Sequence, residues 1–278
     1  MALFSSPLSS EEEGPVAKVA AGRQFSAGRL RDWGRLLVSA VSLLAFVAVW
    51  ALAAWIAQSR HLPDPLAVGE RIVAETASGQ LPFQVGVTLA RVAASFVLAV
   101  VIGSAIGFAM GRSSRLNLFF DSWLILFLNL PALIVIILCF LWFGLNEAAA
   151  ITAVALNKIP NVAVIIREGT QALSPAYDDL ASVYRFGWWT RLRQVHLPQL
   201  APYFAAAGRS GLAIVWKIVL VVELLGLSSG VGFELNTFFQ LFDVTGILAY
   251  AASFIAVIFL IETFVMRPWQ LAANRWRQ

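Results

Sequence analysis

Gly226-Leu227-Ser228-Ser229-Gly230 spells G-x-S-x-G, the pattern of a hydrolase nucleophile elbow. Such an elbow needs a strand before its serine and a histidine within reach. Here an apolar run that reads as helix comes first, and the only histidines, His61 and His196, lie far away in sequence. The pattern therefore predicts a glycine-assisted turn into a gate or re-entrant segment, not acyl transfer. Cys139 is the sole cysteine, which rules out an intrachain disulfide, and its apolar neighbours make it a small buried hydrophobe. The two histidines lack metal-ligand spacing. There is no G-x-x-x-x-G-K-[ST] and no Gly-Lys pair, so no phosphate-cradling loop for a nucleotide.

What remains is a set of charges in apolar surroundings. Lys217 stands in the middle of an apolar run, where an uncompensated charge costs about 2.5–3.5 kcal/mol on insertion. It must face water or protein: either an anion contact, or an internal partner such as Glu223 six residues on. Lys158, with Asn157 and Asn161, falls around Pro160 in another run. The expectation is a helix broken there, with freed carbonyls lining a cavity or packed on protein. Arg91 is expected to snorkel to a surface. Glu223 and Glu262 are expected to gate or to pair, and Asn129 with Pro131 to make a packed kink.

The runs that carry these charges dictate the class. The chain has 278 residues, is 59% hydrophobic and only 13% charged, with a mean hydropathy of +0.78. Globular chains are about 25% charged. Six runs are long enough for the hydrocarbon core at 1.5 Å per residue: about 36–57, 88–110, 119–143, 148–166, 203–225 and 246–266. The predicted fold is an all-α integral membrane protein. An even count leaves both ends on one side. Lys18, Arg23, Arg29, Arg31 and Arg35, Arg112 and Arg115, Arg167, Arg185, Arg191 and Arg193, and Arg267, Arg275 and Arg277 all fall in segments of that side. Opposite them stand only Arg60 and Arg71. The positive-inside rule makes both ends cytoplasmic. Residues 1–33, with the acidic run Glu11–Glu13 and no apolar core, read as a disordered cytoplasmic tail, and 34–278 as the membrane domain. Gly103, Gly107 and Gly111 form a small-xxx-small stripe, for packing within the bundle or a homodimer seam.

The longest polar interruption is Ser174–Pro202, within a cytoplasmic loop of 168–202. Ser174 is placed to cap a helix that opens on Pro175, and Asp178 and Asp179 follow near its positive end. Gly187 is expected to end that helix in a left-handed conformation, Thr190 to cap a second short turn, and Leu197-Pro198 to stop it. Tyr184, Trp188 and Trp189 are placed to seat the apolar side at the membrane interface. A compact basic helical hairpin on one face of a membrane protein reads as a docking surface.

This loop resembles the cytoplasmic loop of ABC importer permeases, E-A-A-x3-G-x9-I-x-L-P. Asp179, Leu180, Ala181, Arg185, Val195, Leu197 and Pro198 keep its spacing. Asp replaces Glu, Leu replaces Ala, and Arg185 stands at the usual glycine. The segments 88–111, 128–147 and 211–233, and the His61-Leu62-Pro63-Asp64-Pro65 stretch, are similar to the nitrate, sulfonate, taurine and bicarbonate branch. The resemblance covers residues 60–266. It implies a type I importer permease fold in the bacterial inner membrane, with a coupling hairpin formed by the loop residues above and Gly187. Two permease copies, as a homodimer, would form a pathway for a small anion, with Lys217, Lys158, Asn157 and Glu223 as candidate pathway residues. Two separate ATPase subunits would carry the ATP and Mg, an external solute-binding protein would deliver cargo, and this chain would bind no cofactor and no nucleic acid. An ion-coupled secondary transporter, expected to show internal repeats, and an intramembrane enzyme remain the alternatives.

Overall fold

The computed structural model describes Val38 and residues 41–59 and 61–268, and every regular element among them is helical. The expected tail of residues 1–33 and the start of the first run lie outside the described residues. The chain divides into two compact units, Met1–Pro65 and Leu66–Gln278. In the first, α1 is apolar and described over Val41–Ala57. The Trp50 indole N–H donates to the Pro63 carbonyl at 3.1 Å, tying the helix to the segment that follows it.

The second unit begins with α2 (Pro65–Ala77), α3 (Gln80–Arg112), α4 (Ser114–Asn129) and α5 (Ala132–Phe143). It continues with α6 (Glu147–Gln171), α7 (Pro175–Val183), α8 (Trp188–Arg191), α9 (Leu197–Gly226), α10 (Val231–Gln240) and α11 (Val244–Ile261). Four stretches are long and apolar enough to cross a membrane: α3, α6, Trp188–Gly226 and Val244–Met266. The third expected run is a pair, α4 and α5, bent by 95°. Its cause is Pro131, which pushes Leu130 into extended backbone with ψ of 126°. Among the described residues the structure thus supplies four spans, with the bent pair as a fifth and α1 as a further apolar helix.

Two expected breaks are absent. α6 runs unbroken through Pro160, because Val162, Ala163 and Ile166 beyond it are fully buried and hold the helix in place. Leu197-Pro198 does not stop a helix either. Leu192–His196 forms a π turn in which the Leu197 N–H reaches back to the Leu192 carbonyl. That wider turn joins α8 to α9 just before Pro198, whose missing N–H would break a regular ladder.

The glycine stripe of α3 lies on α6. A Cβ on Gly107 would stand 2.4 Å from the Ala163 carbonyl oxygen, and one on Gly111 2.5 Å from Thr170 Cβ. The stripe is used for close backbone packing inside the chain, which leaves it unfit as a homodimer seam.

α7 ends in a Schellman motif. The Phe186 N–H donates to the Ala181 carbonyl at 2.9 Å and the Arg185 N–H to that of Ser182 at 3.1 Å. The left-handed residue is Arg185 itself, with φ of +50°, not Gly187, which has φ of −62° and precedes α8. The local chain reverses one residue after Tyr184, so the position where glycine is usual does the turning even when arginine fills it. Thr190 lies inside α8 instead of capping it, and Ser174 precedes α7 without a side-chain bond to it. A side chain in left-handed backbone costs about 1–2 kcal/mol, and the exposed Arg185 makes no recorded polar contact. Arg185→Gly should raise stability by up to about 1 kcal/mol after glycine's entropy cost, read as a higher Tm in detergent with coupling unchanged. A lower Tm would show that the arginine side chain holds the hairpin.

Candidate functional site

Asp178 organises the hairpin. Its carboxylate accepts from Arg112 Nη1, at the end of α3, at 2.6 Å, and lies 2.9 Å from His196 Nε2 in the π turn. Arg191 adds an ion pair at 3.3 Å and donates to the Asp178 carbonyl at 2.6 Å. Burial opposes ionisation of this carboxyl, but hydrogen bonds from Arg112 and His196 together outweigh it and hold its pKa below the usual aspartate range. His196 is itself buried and packs on Phe108 of α3 with ring centroids 5.5 Å apart. The hairpin is therefore bolted to α3 through one carboxylate.

The motif residues divide by exposure. Ala181 is buried under the hairpin, while Asp179 and Leu180 face out, and Asp179 makes no recorded contact within the chain. Leu180, Val195 and Pro198 line a groove of about 510 Å³ between α7, the end of α6 and the start of α9. Leu197 is exposed, and Gly187 has open space where a Cβ would stand. Val183, Tyr184, Trp188 and Trp189 are all exposed. The exposed residues of the hairpin thus include aromatic side chains and a carboxylate with no partner among the described residues.

At the other end of α3 the structure assembles a second clamp. Arg91 does not snorkel: it is 5% exposed and all five guanidinium N–H groups are used. Nε (2.8 Å) and Nη2 donate to the Glu147 carboxylate, Nη1 donates to Glu223 Oε1 and the Ser229 carbonyl, each at 2.7 Å, and Nη2 to Ser229 Oγ at 2.8 Å. Glu223 is 0% exposed, and its second oxygen accepts from Thr88 Oγ1 at 3.0 Å and the Gly232 N–H at 2.8 Å. The G-x-S-x-G stretch is the wrapping of this ion cluster. A Cβ on Gly230, at φ of +103°, would fall 2.3 Å from the Glu223 carboxyl. Glu223, expected in the pathway or against Lys217, is instead enclosed by α3 and the turn after α9. The signal for this pairing was present in the sequence: opposite charges in separate apolar runs, each too costly to leave alone.

Lys217 remains free of it. It is exposed on the face of α9 that also shows Ser210, Ala213, Ile214, Val221 and Leu224, and among the described residues it has no polar partner. Lys158 is 1% exposed on α6 and donates to Asn161 Oδ1 at 2.5 Å. Asn157 is half-buried, with a long 3.5 Å bond from Nδ2 to the Ala132 carbonyl.

Residues 99–276 match the family described as "Binding-protein-dependent transport system inner membrane component". The chain is 29% identical over 264 residues, 95% of each chain, to "Putative aliphatic sulfonates transport permease protein SsuC" of Bacillus subtilis. It is 26% identical to the bicarbonate transport system permease protein CmpB of Synechococcus elongatus, covering 87% of this chain and 93% of that one. It is 25% identical to the taurine transport system permease protein TauC of Escherichia coli, covering 77% and 80%. Among solved structures the fold is similar to the MetNI methionine ABC transporter in inward-facing conformations, with a TM-score of 0.58, 17% identity, and coverage of 68% of this chain and 93% of that one. An amino acid ABC transporter with histidines gives a TM-score of 0.57 at 20% identity, covering 72% and 97%.

Proposed function

The chain belongs to the family of binding-protein-dependent transport system inner membrane components, and from that premise we propose that it forms the pathway of an importer for a small anion. It is a multi-pass transport subunit that works with ATPase and solute-binding partners. Two copies enclose the pathway, ATP and Mg belong to the ATPase subunits, and both ends of the chain and the α7–α8 hairpin face the cytoplasm. The hairpin docks on the ATPases through Asp179, Leu180 and the aromatic surface around them, with Arg185 and Gly187 shaping its turn and Val195, Leu197 and Pro198 its base. The cargo belongs to the chemistry named for the relatives, sulfonates, taurine and bicarbonate.

Lys217 is the observation that carries the anion reading. A cation on a largely apolar, open face of a spanning helix is costly against lipid, so that face should line water or a second copy. Co-expressed with its ATPase and binding protein, Lys217→Ala should lower uptake of the cognate anion about tenfold, the loss of roughly one charge contact of 1.4 kcal/mol. Unchanged kcat and KM would remove Lys217 from the pathway.

A further inference from the structure

We propose that the Lys158 ammonium is a second anion station within the membrane, covered by α9 at Gly211 in this conformation and uncovered when α9 shifts on α6. The inference rests on the anion pathway proposed above. Buried Arg91 and partly buried Arg167 of the spanning helices have carboxylates: Arg91 has Glu147 and Glu223, and Arg167 has Asp121. Lys158 has none among the described residues. Its one recorded acceptor is the amide of Asn161, one turn along its own helix. An ammonium has three donors, so two are left over in a group that is 1% exposed. Buried charges are paired, and an intramembrane cation without its counter-ion marks a place where a counter-ion comes and goes.

What lies against the lysine is the Gly211 backbone of α9, with the Phe96 ring of α3 beside it. A Cβ on Gly211 would lie 2.7 Å from Lys158 Cε and 3.4 Å from Nζ. α9 thus approaches the lysine this closely only because residue 211 has no side chain, and a shift of α9 on α6 would be needed to uncover it. α6 and α9 are joined through the hairpin and run in opposite directions. Lys217 is therefore about 9 Å further from the hairpin than Gly211, six residues at 1.5 Å each. The two lysines lie at successive depths, one on the open face and one behind it. The ligand class is a small oxyanion, a sulfonate or carboxylate, able to take the two spare N–H donors.

The test uses the full complex in vesicles, with Cys139→Ala to remove the native thiol. Asn161→Cys, which leaves Lys158 in place, and Lys217→Cys are each treated with anionic and cationic methanethiosulfonates, with and without ATP turnover. The station predicts reaction at Asn161→Cys during turnover only, with the anionic reagent favoured about tenfold by the nearby ammonium. Adding Lys158→Gln should abolish that preference. Reaction at Lys217→Cys but none at Asn161→Cys overturns the station and leaves the pathway standing, and no reaction at either overturns both. A preference that survives Lys158→Gln also overturns it. Should Asn161→Cys fail to reach the membrane, Lys158→Cys takes its place: labelling during turnover supports the station and its absence overturns it.

Discussion

Arg91→Ala should destabilise the protein by about 3–5 kcal/mol, because it leaves Glu223 charged, enclosed and without a cation. Glu223 has 0% exposure, so water cannot replace the guanidinium. Glu147 differs: its side chain is 59% exposed and can be solvated when the arginine goes. The damage therefore comes through one of the two carboxylates. Arg91→Met combined with Glu223→Gln should recover most of the loss, since glutamine's carbonyl still accepts from the Gly232 N–H and Thr88 Oγ1 while the charge is gone. Arg91→Lys should not recover it, since three donors cannot serve a bidentate Glu147, Glu223 and Ser229 together. The measurement is a double-mutant cycle on thermal unfolding in detergent. A single-mutant loss below about 1 kcal/mol, or a double mutant no better than Arg91→Ala, would show that the cluster does not hold a charged Glu223.

Why this clamp escaped a linear reading is physical. Arg91 and Glu223 are 132 residues apart, and only the packing of α3 against α9 brings them together. Composition and periodicity locate the apolar runs and the polar hairpin, because burial in lipid constrains every residue of a span. They do not reveal how a proline is absorbed. Pro131 bends its helix pair by 95° while Pro160 leaves α6 whole, and the difference lies in the neighbours: α6 is held by α3 through fully buried Val162, Ala163 and Ile166. The hairpin shows the same division. Its place and the spacing of Asp179, Ala181 and Leu197-Pro198 are written locally. That Arg185 and not Gly187 adopts the left-handed backbone follows from where α7's hydrogen-bond ladder ends, which glycine preference alone misjudges.

α3 connects the two clamps. Arg91 and Arg112 are 21 residues apart, about 32 Å at 1.5 Å per residue. Arg112 holds the hairpin through Asp178, and Arg91 holds the first residue of α6 and the turn after α9. If the hairpin is the ATPase-docking element proposed above, a push on it would be delivered to a continuous helix whose other end is bonded to the start of α6 and the turn after α9. No loop interrupts α3 between the two arginines, a continuity that would let a displacement at one end reach the other.

The adjacent aspartates should separate holding the hairpin from docking it. Asp179→Arg removes no contact among the described residues, so unfolding stability should stay within about 0.5 kcal/mol of the parent, the usual range for surface changes. It reverses the charge on the proposed ATPase-facing surface, so stimulation of ATP hydrolysis by loaded binding protein, and uptake with it, should fall at least about tenfold. Asp178→Ala should lose both. It strips Arg112, Arg191 and His196 of a shared carboxylate that is 22% exposed, worth about 1–2 kcal/mol after solvent screening. The sign of the pH response follows from the depressed Asp178 pKa. Its contribution is complete above the unfolded aspartate value of about 3.9 and is lost as pH falls through the lower folded value. The parent hairpin should therefore loosen only in acid below about pH 4, a limb that Asp178→Asn lacks. Coupling retained in Asp179→Arg would move the docking surface off the hairpin. A normal Tm in Asp178→Ala would mean that the link between hairpin and α3 does not run through this carboxylate, and the rigid path along α3 would lose its inner attachment.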